Sequence, residues 1–189
     1  TQNFSISNTN IFYFCVSKRK KTEMRLKFLL IIFLFAFANA LPQQISSPDS
    51  KLILTIKLSE TNELVYNLVR AGKLVIKDSK LGIDLLDQTD FLDGLKVDTV
   101  VTSTYFEEWS PVWGEVDKII NIYNQMQVTL IQPKEKRTMI VTFRLFNDGL
   151  GFRYEFPVQE NLKYFTVLEE NTQFALTGDH KTFWIPGDY

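Results

Sequence analysis

An all-β fold is what the sequence predicts, on three observations. Arg137 to Pro157, RTMIVTFRLFNDGLGFRYEFP, joins two strand-forming runs through Asn147-Asp148-Gly149, residues that tolerate the positive φ of a tight turn. Between residues 51 and 104, short runs of alternating apolar and polar residues are broken by Gly, Asn, Asp and Ser at the spacing of a meander. After residue 40, no segment keeps a helical apolar period beyond about two turns. These runs amount to about ten or more strands in two packed, mainly antiparallel sheets.

The N-terminal stretch stands apart from this pattern. Met24 to Ala40, MRLKFLLIIFLFAFANA, has the positive end (Arg25, Lys27), the apolar run (Phe28 to Phe37) and the small-x-small site (Ala38-Asn39-Ala40) of a secretory signal peptide. Cleavage is expected after Ala40, with export to the periplasm or the extracellular space. The apolar run is about half of the roughly 20 residues that cross a bilayer, so no membrane span is expected after cleavage. Residues 1–23 begin with Thr and read as translation upstream of the true start.

Removing the first 40 residues changes the charge. They hold six of the 21 basic residues and one of the 22 acidic ones, so the remainder has 15 basic and 21 acidic side chains, an excess of about six negative charges. No cluster of Lys and Arg remains, which argues against a nucleic-acid surface. Cys15, the sole cysteine, falls in the same upstream piece, so neither a disulfide framework nor thiolate chemistry is expected beyond it.

In chain order, residues 41–50 read as a linker rich in Pro, Gln and Ser. A domain then occupies 51–189. Lys51 to Leu58 alternates as a half-buried strand. Glu63 to Val69, Lys73 to Ile76 and Leu81 to Leu86 follow, set off by turns at Glu60-Thr61-Asn62, Ala71-Gly72 and Asp78-Ser79-Lys80. Asp87 to Gly94 is an acidic connection, and Leu95 to Thr104 is again β-rich. Tyr105 to Asn124, YFEEWSPVWGEVDKIINIYN, reads as a loop dense in aromatics and acids. Two uses fit it: a sugar-contacting surface, with Trp109 and Trp113 stacking on pyranose faces while acids bond hydroxyls, or a plug closing one end of the sheet core. Ile119 to Ile131 is a longer strand leading into the hairpin. In that hairpin Met139, Val141, Phe143 and Leu145 share one face with Leu150, Phe152, Tyr154 and Phe156, and Arg153 and Glu155 lie on the other as a cross-strand ion pair. Tyr164 to Leu168, Thr172 to Leu176 and Lys181 to Tyr189 complete the chain.

Chemistry within the chain is sparse. His180 is the single histidine, no Gly-x-Ser-x-Gly elbow occurs, and neither a phosphate-binding glycine loop nor a His-rich metal motif is present. Carboxylates at Glu107, Glu108, Glu115, Asp117, Glu155 and Asp188 could in principle pair for glycoside hydrolysis, but spacing in sequence does not set their separation.

The order of motifs carries a resemblance. Ser47-Pro48-Asp49, Leu81-Gly82-Ile83, Trp109 to Glu115 (WSPVWGE), Asn121 to Asn124 (NIYN), Phe143 to Pro157 (FRLFNDGLGFRYEFP) and Phe183 to Tyr189 (FWIPGDY) resemble, in that order, the N-terminal domain of glycoside hydrolase family 97. The resemblance runs from about Ser47 to the end of the chain. It implies a β-supersandwich of the galactose-mutarotase type, preceding a catalytic (β/α)8 barrel in the same polypeptide. Implied with it are an exported α-glucosidase or α-galactosidase acting on oligosaccharide or polysaccharide-derived α-glycosides, and a calcium ion near the substrate. The resemblance places the catalytic carboxylates on the barrel and a calcium-ligating glutamate just past the motif matched by Trp184 to Tyr189. No catalytic or metal-binding residue is therefore assigned within these 189 residues, which alone are expected to be inactive. Trp184, Gly187, Asp188 and Tyr189 are the candidates for lying beside the active site, with Trp109 and Trp113 as candidates for sugar contact. Trp184 as a core residue and Asp188 as a turn residue is the competing reading. A self-contained carbohydrate-binding module and a non-catalytic structural domain are the alternatives.

Overall fold

The computed structural model describes residues 42–181 together with Phe183, Ile185 and Gly187. The expected signal peptide and the piece before it lie outside the described residues. Ten strands are present among the described residues, and there is no helix. They are β1 (Gln43–Ser46), β2 (Leu52–Leu58), β3 (Leu64–Arg70), β4 (Lys73–Leu81), β5 (Ile83–Leu85), β6 (Lys96–Trp109), β7 (Ile119–Gln132), β8 (Arg137–Leu145), β9 (Leu150–Glu155) and β10 (Val167–Glu170).

Two antiparallel meanders of four strands, β1-β2-β3-β4 and β6-β7-β8-β9, make the body of the domain, and β5 pairs with β10 in a third, two-stranded sheet. This is the all-β architecture of packed antiparallel sheets that the residue pattern and the resemblance both imply. Alternation explains the packing. Leu52, Leu54 and Ile56 of β2 and Leu64, Tyr66 and Leu68 of β3 are buried against Met126, Val128 and Leu130 of β7 and Met139, Val141, Phe143 and Leu145 of β8. Each contributes the inward half of a period-2 pattern, so the two inner faces form one continuous core. An aromatic contact crosses between the sheets, the Tyr66 and Phe152 rings lying 6.2 Å apart, and within the second sheet Phe152 lies 6.0 Å from its partner Phe143.

Several local expectations are corrected. The expected linker 41–50 is structured over its described residues: Gln43 to Ser46 pairs with Ile56 to Ile53 as the edge strand β1, and Ser47 to Ser50 turns the chain back. Asp78-Ser79-Lys80 does not break the chain; it lies inside β4, where register shifts opposite Leu68 absorb the irregularity. Asn147-Asp148-Gly149 closes the β8–β9 hairpin with no positive φ at any of the three residues. Asn147 serves instead as a side-chain acceptor, its Oδ1 taking the Asp49 backbone N–H at 2.9 Å and tying the hairpin tip to the β1–β2 turn. Positive φ is used at the β3–β4 turn, where Ala71 (46°) and Gly72 (76°) form the two-residue connection that antiparallel twist favours.

The C-terminal segment flanks the first sheet. Its backbone bonds to β5 and β4 in antiparallel sense: Asn171 N–H to Gly82 O, Gln173 N–H to Lys80 O, and Lys77 N–H to Ala175 O, followed by a bridge of Leu176 with Ile76. Gly82, where β4 passes into β5, is required by space. A Cβ there would lie 2.9 Å from the Phe91 carbonyl oxygen and 2.7 Å from Leu92 Cδ2.

Candidate functional site

The stretch expected as an aromatic loop is mostly two strands. β6 and β7 pair without interruption from Thr99↔Thr129 to Trp109↔Ile119, and only residues 110–118 form a loop. β8 covers β7 only from Asn124 to Gln132. Among the described strands, residues 105–109 and 119–123 therefore pair only with each other, as a two-stranded arm beyond the edge of the sandwich. On one face Tyr105 stacks on Tyr123 at 5.0 Å, and Asn121 donates to Glu107 at 2.9 Å. Arg144 lies 4.7 Å above the Tyr123 ring, which is buried between Tyr105 and Phe146. On the other face are Phe106, Ile120 and Ile122, all exposed, with Glu108 paired to Lys118.

Of the residues expected to contact sugar, Trp109 ends β6 and is 46% exposed, whereas Trp113 sits in the loop and is 89% exposed. Neither tryptophan is part of the core, whereas Tyr123 of the same stretch is buried, so the aromatics divide between the surface and the packed interior. No ring contact joins the two tryptophans among the described residues, so the structure does not assemble them into a single stacking platform. Gly187 is described, with open space around it. Trp184, Asp188 and Tyr189 lie outside the described residues.

A second feature was not expected. An open cleft of about 630 Å³ lies between β3, β4 and the C-terminal segment, lined by Glu63, Lys80, Leu92, Glu170, Thr172 and Gln173 among others. Its polar groups largely satisfy one another. Lys80 Nζ donates to Glu63 at 2.7 Å, which with hydroxyls from Thr61 and Ser59 holds that carboxyl below its ordinary range. Thr172 donates to Glu170 at 2.6 Å. Nearby, Asp84 is pushed above the usual carboxylate range, first by a hydrogen bond shared with Asp90, then by burial and by the charges of Asp90 and Glu169. These acids converge from positions up to 85 apart in the chain, and no local motif announces them.

Elsewhere the ionisable groups are structural. Glu155 is held below its ordinary range by the Thr142 hydroxyl at 2.7 Å and then by Arg153 at 2.9 Å. The Arg153–Glu155 pair runs along one strand rather than across two, because Arg153 faces Thr142 and Glu155 faces Ile140 on β8. Buried Arg137 donates to Gln132 Oε1 and Thr89 O, both at 2.6 Å, and stacks 4.6 Å over Phe91. It thereby pins the acidic connection 87–94 to the core. His180 is exposed. No three His, Cys, Asp or Glu side chains converge to hold a metal ion among the described residues, so those residues by themselves do not fit a calcium site.

Comparison with known proteins gives this geometry a context. The family model described as Glycosyl-hydrolase 97 N-terminal matches residues 45–189. A retaining alpha-galactosidase from Bacteroides thetaiotaomicron is 24% identical over 157 residues, covering 82% of this chain and 22% of that protein. A glycoside hydrolase family 97 enzyme from a Pseudoalteromonas species, solved in complex with panose, superposes with a TM-score of 0.67 at 29% identity, over 71% of this chain and 20% of that one. The same enzyme was solved with acarbose. A β-arabinopyranosidase crystal structure shares the fold, with a TM-score of 0.65 at 24% identity. The chain spans about a fifth of the length of the relatives it matches.

Proposed function

The chain belongs to the glycosyl-hydrolase 97 N-terminal family, and on that premise we propose that it is the N-terminal domain of an exported, calcium-dependent α-glycosidase. In this reading it packs on a following (β/α)8 barrel, helps to complete that barrel's active site, and is inactive alone. The observation that carries the reading is the match over nearly the whole β domain, combined with its coverage of only about a fifth of relatives that are themselves glycosidases.

The described residues support a scaffold role. Glu63 is held by Lys80, Glu155 by Thr142 and Arg153, and Asp84 shares a hydrogen bond with Asp90, while the single histidine lies at the surface. A general acid and a nucleophile or base for breaking an α-glycosidic bond would come from the barrel. Calcium dependence belongs in this proposal to the full-length enzyme, at groups outside the described residues. Trp184, Gly187, Asp188 and Tyr189 are the part of this domain proposed to approach the substrate. The substrate class is an α-linked glucoside or galactoside, as the panose and acarbose complexes and the alpha-galactosidase relative suggest by analogy. Cleavage after Ala40 and release to the periplasm or beyond are part of the same proposal.

Reading the gene downstream of Tyr189 tests this directly. Repeated strand and helix units of a barrel are expected, and an immediate stop codon would count against the proposal. One observation favours a carbohydrate-binding module as the second reading: the solvent exposure of Trp109 and Trp113. Titration with maltooligosaccharides, followed by tryptophan fluorescence, should give a saturable change if that reading holds and no change if the aromatics serve another purpose.

A further inference from the structure

The arm formed by 105–109 and 119–123 presents an apolar face that is left exposed among the described residues. Phe106 is 65% exposed, Ile120 57% and Ile122 37%. Phe106 pairs with Ile122, and Ile120 with Glu108, so the three apolar side chains form a patch on one side of the ribbon. This side continues the inner surface of the sandwich, the side that carries Met126 and Val128 further along β7. A two-stranded ribbon has little stability of its own, and contiguous exposed apolar surface marks an interaction site.

The topology points to an occupant. The arm begins past the row Thr104, Asn124, Leu145 and Leu150 of the second sheet. Asn124 Nδ2 donates to Ser46 O at 2.8 Å, which aligns this row with Ser46, Ile53, Val69 and Leu74 at one end of the first sheet. The C-terminal segment runs antiparallel to β4, past Lys80, then Lys77, then Ile76, and so heads for the Leu74 and Lys73 end. As far as Leu176 the chain therefore runs toward the same end from which the arm projects. About four fifths of the length of the relatives lies outside the matched part, and that polypeptide would be delivered beside the arm.

We propose that the arm is a docking element: its Phe106, Ile120 and Ile122 face receives an apolar surface of the domain that follows residue 189 in the same polypeptide. This rests on the reading of the chain as the N-terminal part of a longer glycosidase. It adds that the two domains are held by a preformed ribbon as well as by the covalent connection. Packing of this kind fixes relative orientation, which a single connecting strand does not.

The test uses the longer polypeptide with a photo-crosslinking benzoylphenylalanine in place of Phe106. A crosslinked peptide lying beyond residue 189 of the same molecule is expected. A crosslink between two copies, or none at all, overturns the proposal. In parallel, Phe106→Glu with Ile120→Glu should raise hydrogen exchange of the arm amides by about 10-fold or more and separate the unfolding of the two domains. Phe106→Leu should keep the protection, and Val101→Glu, on the opposite face of β6, should change neither. Equal exchange in the wild type and the double variant also overturns it. Absence of a downstream domain would sink the functional reading and this proposal together, whereas a barrel that leaves the arm unprotected would sink this proposal alone.

Discussion

The β8–β9 hairpin and the β6–β7 arm are built from the same kinds of residue and meet opposite fates. Both are antiparallel pairs rich in Phe, Tyr, Ile and Val, with charges interspersed. In the hairpin Met139, Val141 and Phe143 are fully buried because β2 and β3 lie across them. In the arm Phe106, Ile120 and Ile122 stay exposed because β8 and the opposing sheet stop short of them. The difference teaches that alternation specifies a strand with an apolar face, while only topology decides what that face meets.

The largest test of this contrast is a pair of truncations. Phe143→Ala should cost the domain about 3–5 kcal/mol in urea unfolding, since it opens a cavity at a fully buried position. Phe106→Ala in the same domain should cost less than about 1 kcal/mol, because that ring contacts mainly solvent and its cross-strand neighbour. Similar losses at both positions would break the comparison. Gly82→Ala comes next. Its new methyl group would press on the Phe91 carbonyl, and a loss of about 1–3 kcal/mol is expected, with faster exchange of the Phe91 amide that bonds to Ile83.

A pH titration sharpens the same contrast without mutation. Burial pushes the Tyr66 and Tyr154 hydroxyls up to about 12. A phenol that is harder to ionise in the folded state stabilises the fold below its unfolded value near 10. That contribution is lost as pH rises from 10 through 12, because the unfolded chain releases those protons first. Stability should therefore fall across this window, and Tyr66→Phe with Tyr154→Phe should flatten the fall. An unchanged slope in the double variant would contradict the assignment. The smallest effect belongs to the β3–β4 turn. Ala71→Gly relieves a side chain at φ 46° and should stabilise the domain by about 0.5–1 kcal/mol in the same urea assay, whereas no gain would mean that the turn is unstrained.

Much of the fold is written in local pattern. Leu52 to Leu58 and the Phe143 to Glu155 hairpin strands follow from period-2 alternation, and the Ala71-Gly72 turn from turn chemistry, because each depends on neighbours close in sequence. What was illegible depends on partners far away. Gln43 to Ser46 has a linker's composition and becomes a strand because β2 offers it an edge. Tyr105 to Trp109 has Pro and Gly close after it and reads as a loop, yet cross-strand pairing with Ile119 to Tyr123 extends β6 through it. The cleft and the Asp84, Asp90 and Glu169 group carry no local signal, since they form only when the C-terminal segment lies along β4 and β5. For Trp109 and Trp113 the sequence left surface and core plug both open; their exposure and their separation depend on where β6 ends.

The central claim is that this domain supports chemistry performed elsewhere in the polypeptide. It is tested most directly by assaying the domain from residue 41 to 189 beside the product of the extended gene, on p-nitrophenyl α-glucoside and α-galactoside. The account predicts turnover of at least one substrate by the longer protein and none by the domain. Turnover by the domain alone would contradict it.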